Sequence, residues 1–278
     1  MTWQTSRFSI DLSEPRVMGI VNVTPDSFSD GGRHVSTGAA LRHCEQLLKD
    51  GAHILDIGGE STRPGSPAVS LEEELARVLP LARDAASLGV PISVDTYKAE
   101  VMRAVLDVGV DIINDVWALR QPGATAAVAS HPKCGVCLMH MHRDPQTMQT
   151  APMSGDVVQS VLSFLKHHAL ELQALGVEKA RIVLDPGIGF GKTVEQNFSL
   201  LAHQPVLRAA GYPVLAGWSR KSSLGAITGL DVNDRMVPSV AAAVLAVERG
   251  ASIVRVHDVR ETVAALAVWN AMRQADRC

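Results

Sequence analysis

The chain has 278 residues and a formal net charge of −3, with 46% hydrophobic and 20% charged residues. That suits one or two domains with a substantial core, and the near-neutral balance leaves no basic footprint for nucleic acid. The opening residues Met1–Arg7 contain no apolar h-region, Asp11 and Glu14 follow soon after, and runs such as Val240–Val247 are too short to span a bilayer. The expectation is a cytoplasmic protein with neither nucleic-acid nor membrane partners. Cys44, Cys134, Cys137 and Cys278 are too sparse for a disulfide framework. Cys134-Gly-Val-Cys137 matches C-x-x-C but has no second pair and runs into the apolar stretch Val136–Met139, so it reads as buried thiols rather than a zinc or redox site.

Residues 1–15 form an extension in which Phe8, Ile10 and Leu12 alternate with polar neighbours, the pattern of a short strand or hairpin. Val17, Ile20 and Val21 mark a buried strand that changes character at Asn22. A polar loop then carries Thr24, Asp26, Ser27, Ser29 and Asp30 up to Gly32. Phe28 is the odd residue of that loop: it either folds back on the rim or closes over a ligand. Ala39–Leu48 reads as a helix ended by Gly51, and Ile54–Ile57 as a second strand leading into the polar loop Gly58–Gly65. Ser70 caps a helix with an acidic first turn. Strands follow at Pro91–Val94, Asp111–Ile113 and Val136–Met139, ending at Asp95, Asn114-Asp115 and His140-Met141-His142, with a helix around Val101–Leu106. A helix over Val157–Leu175 precedes strand Ile182–Leu184 and the glycine-rich Asp185–Lys192. Pro213–Ala216 leads to Gly217–Ser222, helix Val237–Val247 to strand Ile253–Asp258, and a last helix spans Val259–Met272.

Eight strands alternating with helices imply an α/β fold, a single-domain (β/α)8 TIM barrel over residues 16–278, with 1–15 as its extension. An open doubly wound sheet would show G-x-G-x-x-G after its first strand; here that turn is Asn22-Val-Thr-Pro-Asp26.

In such a barrel the strand C-terminal ends converge on one mouth. Those ends are Asn22, Asp56, Asp95, Asn114, His140, Asp185, Lys221 and the pair Arg255/His257. A strand-end Asp by itself often caps the next helix, but eight polar ends together exceed what capping explains. Arg255, inside a strand, needs an anionic partner, either a protein carboxylate or a ligand. Arg63, Arg255, His257 and Asn22 suit a phosphorylated group, a diphosphate in particular. Asp95, Asn114, Asp185 and Lys221 suit a flat heterocycle with a donor-rich edge, since a carboxylate accepts two parallel N–H bonds.

Met18–Gly32, Asp56–Gly65, Leu184–Lys192, Ser219–Ser222 and Arg255–Asp258 closely resemble bacterial dihydropteroate synthases, in order and at family-like spacing from about Ser9 to the last helix. The resemblance implies condensation of 6-hydroxymethyl-7,8-dihydropterin diphosphate with para-aminobenzoate in folate biosynthesis, by a homodimeric, Mg²⁺-using sulfonamide target. It also implies roles. Asp95, Asn114, Asp185 and Lys221 would hold the pterin, with Met139 against a ring face. Asn22, Arg63, Arg255 and His257 would hold the diphosphate, with Mg²⁺ near Asn22. Phe28, Thr62, Pro64, Phe190, Lys221 and Ser222 would shape the para-aminobenzoate pocket. Asp95, Asp185, Lys221, Arg255, His257 and, on the first loop, Asp30 would be catalytic.

Two alternatives share the barrel: a non-catalytic pterin-binding homologue and a folate-dependent methyltransferase. Retention of Asn22, Asp30, Thr62 and Arg63 favours the synthase. His140-x-His142 also has the spacing of a barrel hydrolase metal site, but no second strand-end His pair accompanies it. Tyr97 and Trp218 depart from the smaller residues that the resemblance leads one to expect.

Overall fold

Short apolar runs are too short for helices and too apolar for surface strands, and here they assemble into a closed parallel sheet. The computed structural model describes residues 1–23, 33–61, 66–144 and 152–275. An antiparallel hairpin, β1 (Thr2–Gln4) with β2 (Ser9–Asp11), comes first. The sheet follows: β3 (Arg16–Asn22), β4 (Ile54–Gly58), β5 (Ile92–Asp95), β6 (Ile112–Asp115), β7 (Gly135–Met139), β8 (Ile182–Asp185), β9 (Leu215–Ala216) and β10 (Ile253–Val256). Their order is β8-β7-β6-β5-β4-β3-β10-β9, all parallel, and a bridge between Leu184 and Val214 brings β8 to the segment before β9 and closes the barrel.

The helices between them are α1 (Arg33–Lys49), α2 (Leu71–Ala85), α3 (Ala99–Asp107), α4 (Ala124–Ser130), α5 (Val157–Ala174), α6 (Val194–Ala202), α7 (Gln204–Arg208), α8 (Ser222–Thr228), α9 (Met236–Glu248) and α10 (Val259–Ala275). Their starts have local causes. Ser70 accepts from the Glu73 amide, Asp156 accepts from Val158 and Gln159, and Thr193 with Gln196 forms a reciprocal capping box. No described helix is long and apolar enough to cross a membrane.

The strands bury both faces. Outward residues such as Val21, Leu55, Val94, Ile113, Leu138 and Leu184 pack against the helices. Inward residues Met18, Ile54, Ile112, Cys137, Val183, Leu215 and Ile253 form a separate cluster, and into it the hairpin inserts Trp3, Ile10 and Leu12. The extension is therefore the floor of the barrel: Trp3 is wholly buried and its Nε1 donates to Arg181 O at 2.9 Å. Cys44, Cys134 and Cys137 are buried free thiols.

Two expectations are corrected. The last strand, read as running to Asp258, stops at Val256, because the His257 amide donates to Ser219 Oγ at 3.1 Å rather than to a neighbouring strand. The short helices α4, α6, α7 and α8 lie outside the expected set; α4, α7 and α8 have no more than seven residues, too few to establish a period.

Candidate active site

Period-two alternation decides what fills the mouth. Ile54, Ile112, Val183 and Ile253 face the lumen, so Asp56, Asn114, Asp185 and Arg255, two residues on, face it too, closer to the strands' C-terminal ends. Ser93 stands beside Asp56 in register, which turns Asp95 inward as well. Arg255 reaches past β3: Nε donates to Asp56 Oδ2 at 2.6 Å and Nη2 to Asp95 Oδ2 at 2.9 Å. Asn114 Nδ2 donates to the same Asp56 Oδ2 at 3.1 Å. Asp56 Oδ1 and Ser93 Oγ are buried with no hydrogen-bond partner, a deficit that costs free energy until a donor or water reaches them.

The electrostatics follow from this crowding. Burial pushes the Asp95 carboxyl up to about 7, against the pull of Arg255 and with the push of Asp56. Burial also raises Asp185, while the Gly187 amide, donating to its Oδ1 at 2.7 Å, and Lys221 pull it down. For Arg255, burial lowers the pKa but Asp56 and Asp95 more than compensate, so the guanidinium stays charged. Asp115 turns away from this set and accepts from the Trp117 and Leu119 amides, both at 2.8 Å.

The loop after β8 is held by a buried lysine. Lys192 Nζ donates to the carbonyls of Gly187 (2.8 Å), Phe190 (3.0 Å) and His140 (3.3 Å). Gly187 has φ +67°, and a Cβ there would stand 1.9 Å from His140 O, so only glycine fits. The loop lays Phe190 beneath Lys221, whose Nζ is 4.3 Å from the ring centroid. Phe190, Met139, Met141 and Val116 form an apolar cluster with Tyr97 and Trp117 packed against it. Tyr97, one of the two departures, thus lines the rim, and its hydroxyl donates to Glu60 Oε1 at 2.9 Å. Trp218, the other, is buried in the outer core against Phe198.

On the far side of the mouth, Ser219 Oγ accepts from the His257 amide and lies 2.9 Å from His257 Nδ1. Arg220 and Asp258 make a two-point ion pair at 2.6 and 3.2 Å that ties the β9 and β10 loops together. Asn22 is half-buried at the end of β3, opposite Gly58. Ser222 is exposed at the first turn of α8.

The structure therefore brings together Asp95, Asn114, Asp185 and Arg255 in the lumen, with Met139, Phe190 and Lys221 at its rim. Phe28, Asp30, Thr62, Arg63 and Pro64 lie outside the described residues. Arg255, expected among the diphosphate ligands, has two of its nitrogens on carboxylates. Asp56 and Ser219 were given no role from sequence. The parity of Asp56 with Ile54 is the available signal for the first; for Ser219 it is the place at the head of the Ser219–Ser222 motif. His140 is buried edge-on against Phe164, its Nδ1 unpartnered and its pKa lowered to about 2 by burial and by Lys192. Among the described residues His140 and His142 join no cluster of metal-ligating side chains.

A family profile described as "Pterin binding enzyme" matches residues 18–257. The chain is 53% identical over 274 residues to the dihydropteroate synthase of Neisseria meningitidis serogroup C, covering 97% of each. Among solved structures it is similar to Burkholderia cenocepacia dihydropteroate synthase complexed with 7,8-dihydropteroate, at 50% identity and a TM-score of 0.91 over 99% of this chain and 98% of that one. It is also similar to the Yersinia pestis dihydropteroate synthase in complex with a sulfonamide drug, at 45% identity and a TM-score of 0.93 over 99% and 100%. With eight parallel strands presenting this lumen, the chain belongs to the pterin binding enzyme family, among its dihydropteroate synthases.

Proposed function

We propose that the chain joins 6-hydroxymethyl-7,8-dihydropterin diphosphate to para-aminobenzoate, releasing diphosphate and 7,8-dihydropteroate. One observation carries the reading: a buried Asp56–Arg255–Asp95 assembly with Asn114 and Asp185 beside it, under an apolar rim. Asp95, Asn114, Asp185 and Lys221 hold the pterin edge and Met139 meets a ring face. Asn22, Arg63, Arg255 and His257 hold the diphosphate. Phe28, Thr62, Pro64, Phe190 and Ser222 surround para-aminobenzoate.

The amine of para-aminobenzoate is a weak neutral nucleophile, so the rate rests on stabilising charge that develops as the pterin methylene's C–O bond breaks. The C–N bond forms at that carbon, the amine loses a proton and the diphosphate leaves. Arg255 and His257 answer the anionic side; Asp95, Asp185 and Asp30 answer the cationic one. Asn22 offers a neutral amide oxygen, which suits Mg²⁺, an ion that takes few protein oxygens and keeps water and phosphate as its other ligands. When bound, Mg²⁺ supplies charge neutralisation to the diphosphate.

The chain acts in the cytoplasm as a homodimer, in keeping with the exposed apolar residues Ile227, Val237, Leu245, Val268 and Met272 on α8, α9 and α10. A sulfonamide competes with para-aminobenzoate. The deciding experiment follows diphosphate release with Mg²⁺, with and without para-aminobenzoate. Release that requires para-aminobenzoate and yields dihydropteroate confirms the reading. Binding of the diphosphate without release identifies a non-catalytic homologue instead.

A further inference from the structure

On α5, the helix between β7 and β8, three ligand-type side chains share one arc of the helix surface. At 100° per residue, His167 and His168 are set 100° apart, and Glu171, four residues beyond His167, falls between them one turn on. The contacts match this placement. The carboxylate gives one oxygen to each ring: Glu171 Oε1 lies 3.3 Å from His167 Nε2 and Oε2 lies 2.8 Å from His168 Nδ1. One nitrogen of each ring and a carboxylate oxygen all lie within 4.8 Å of one another.

The cluster is braced on one side and open on the other. The His168 ring packs edgewise on Phe164 at 4.4 Å between centroids, and Phe164 packs in turn on the buried His140 at 4.8 Å, with the Arg120 guanidinium also over its ring. His167 is two-thirds exposed. An imidazole can carry its proton on either nitrogen, so a shift of the ring proton alone can turn a lone pair outward.

We propose that His167, His168 and Glu171 form a surface site for a borderline divalent transition-metal ion of the Zn²⁺ type, with solvent completing the coordination. Two imidazoles and one carboxylate are the donors such an ion prefers, whereas Mg²⁺ favours an all-oxygen shell. The site lies outside the mouth and shares none of the residues assigned to the reaction.

The test uses the full chain, freed of metal with a chelator and without substrates, so that its outcome is independent of the proposed reaction. ZnCl2 is titrated calorimetrically at pH 7.5 into the wild type and into His168→Ala and Glu171→Gln. The expected result is one ion per chain, with each substitution weakening binding by roughly tenfold or more. Co²⁺ provides a second readout, since histidine ligation gives a visible d–d band that the variants lose. Equal Zn²⁺ affinity in the wild type and both variants, as binding through cysteines would give, overturns the proposal. So does the absence of binding by the wild type.

Discussion

At the scale of single residues, the lumen is a problem in charge. Three carboxylates, Asp56, Asp95 and Asp185, surround one guanidinium; Asp56 and Asp185 are buried, and Asp95 and Arg255 are partly so. The arrangement is stable only because each charge is hydrogen-bonded to another or to backbone. Asp95, pushed by burial up to about 7, is half-protonated near neutrality. Accepting N–H bonds from a pterin requires the ionised form, so affinity should rise up to about tenfold between pH 6 and pH 8, with proton release on binding. Calorimetry in buffers of different ionisation heat checks this, and Asp95→Asn should flatten the profile. Stability runs the other way: the folded carboxyl holds its proton more tightly than the unfolded one. Stability present below the ordinary carboxylate pKa is therefore lost as pH rises towards 7. Asp185→Asn should weaken pterin binding by about 1.5–3 kcal/mol, the worth of a hydrogen bond to a charged group. Wild-type affinity in that variant would remove Asp185 from the pterin seat.

At the scale of elements, legibility in the sequence followed length and periodicity. The eight strands were readable because each is a short apolar run with polar residues at or soon after its end, which is what burial on both faces beside an open mouth requires. Asp56 was visible as a strand end but not as a site residue, because an isolated strand-end Asp looks the same as a helix cap until its parity with Ile54 is traced. The short α4, Ala124–Ser130, offers no polar face to contrast with an apolar one. For α6 a signal was present in Thr193 and Gln196, the two ends of its capping box. The partnership of Ser219 with His257 joins two loops across 38 residues, and no local rule reveals it. The β8 loop has its own test. Gly187→Ala would place a methyl against His140 O in a left-handed conformation, and should cost about 3 kcal/mol or more of stability. Denaturant unfolding measures this, and an unchanged midpoint would mean that the two backbones are not in close approach.

At the scale of the whole molecule, the hairpin matters more than its alternating pattern suggested. Phe8, Ile10 and Leu12 announced a strand, but Trp3 is its deepest residue, and nothing local distinguishes a wholly buried tryptophan in a terminal segment from an exposed one. Trp3→Ala should lower stability by about 3–5 kcal/mol, the usual cost of emptying a large aromatic site, and thermal unfolding would show it. A variant that melts with the wild type would show the hairpin to be peripheral. The same floor has a kinetic meaning. Among the described residues, a lumen stoppered by Trp3, Ile10 and Leu12 opens only at its mouth. Whatever seats deepest, beside Asp56 and Asn114, must arrive before anything lodged under Tyr97, Trp117 and Phe190, and the joined product leaves rim end first. The order of loading is then set by plumbing, with no conformational signal needed to enforce it.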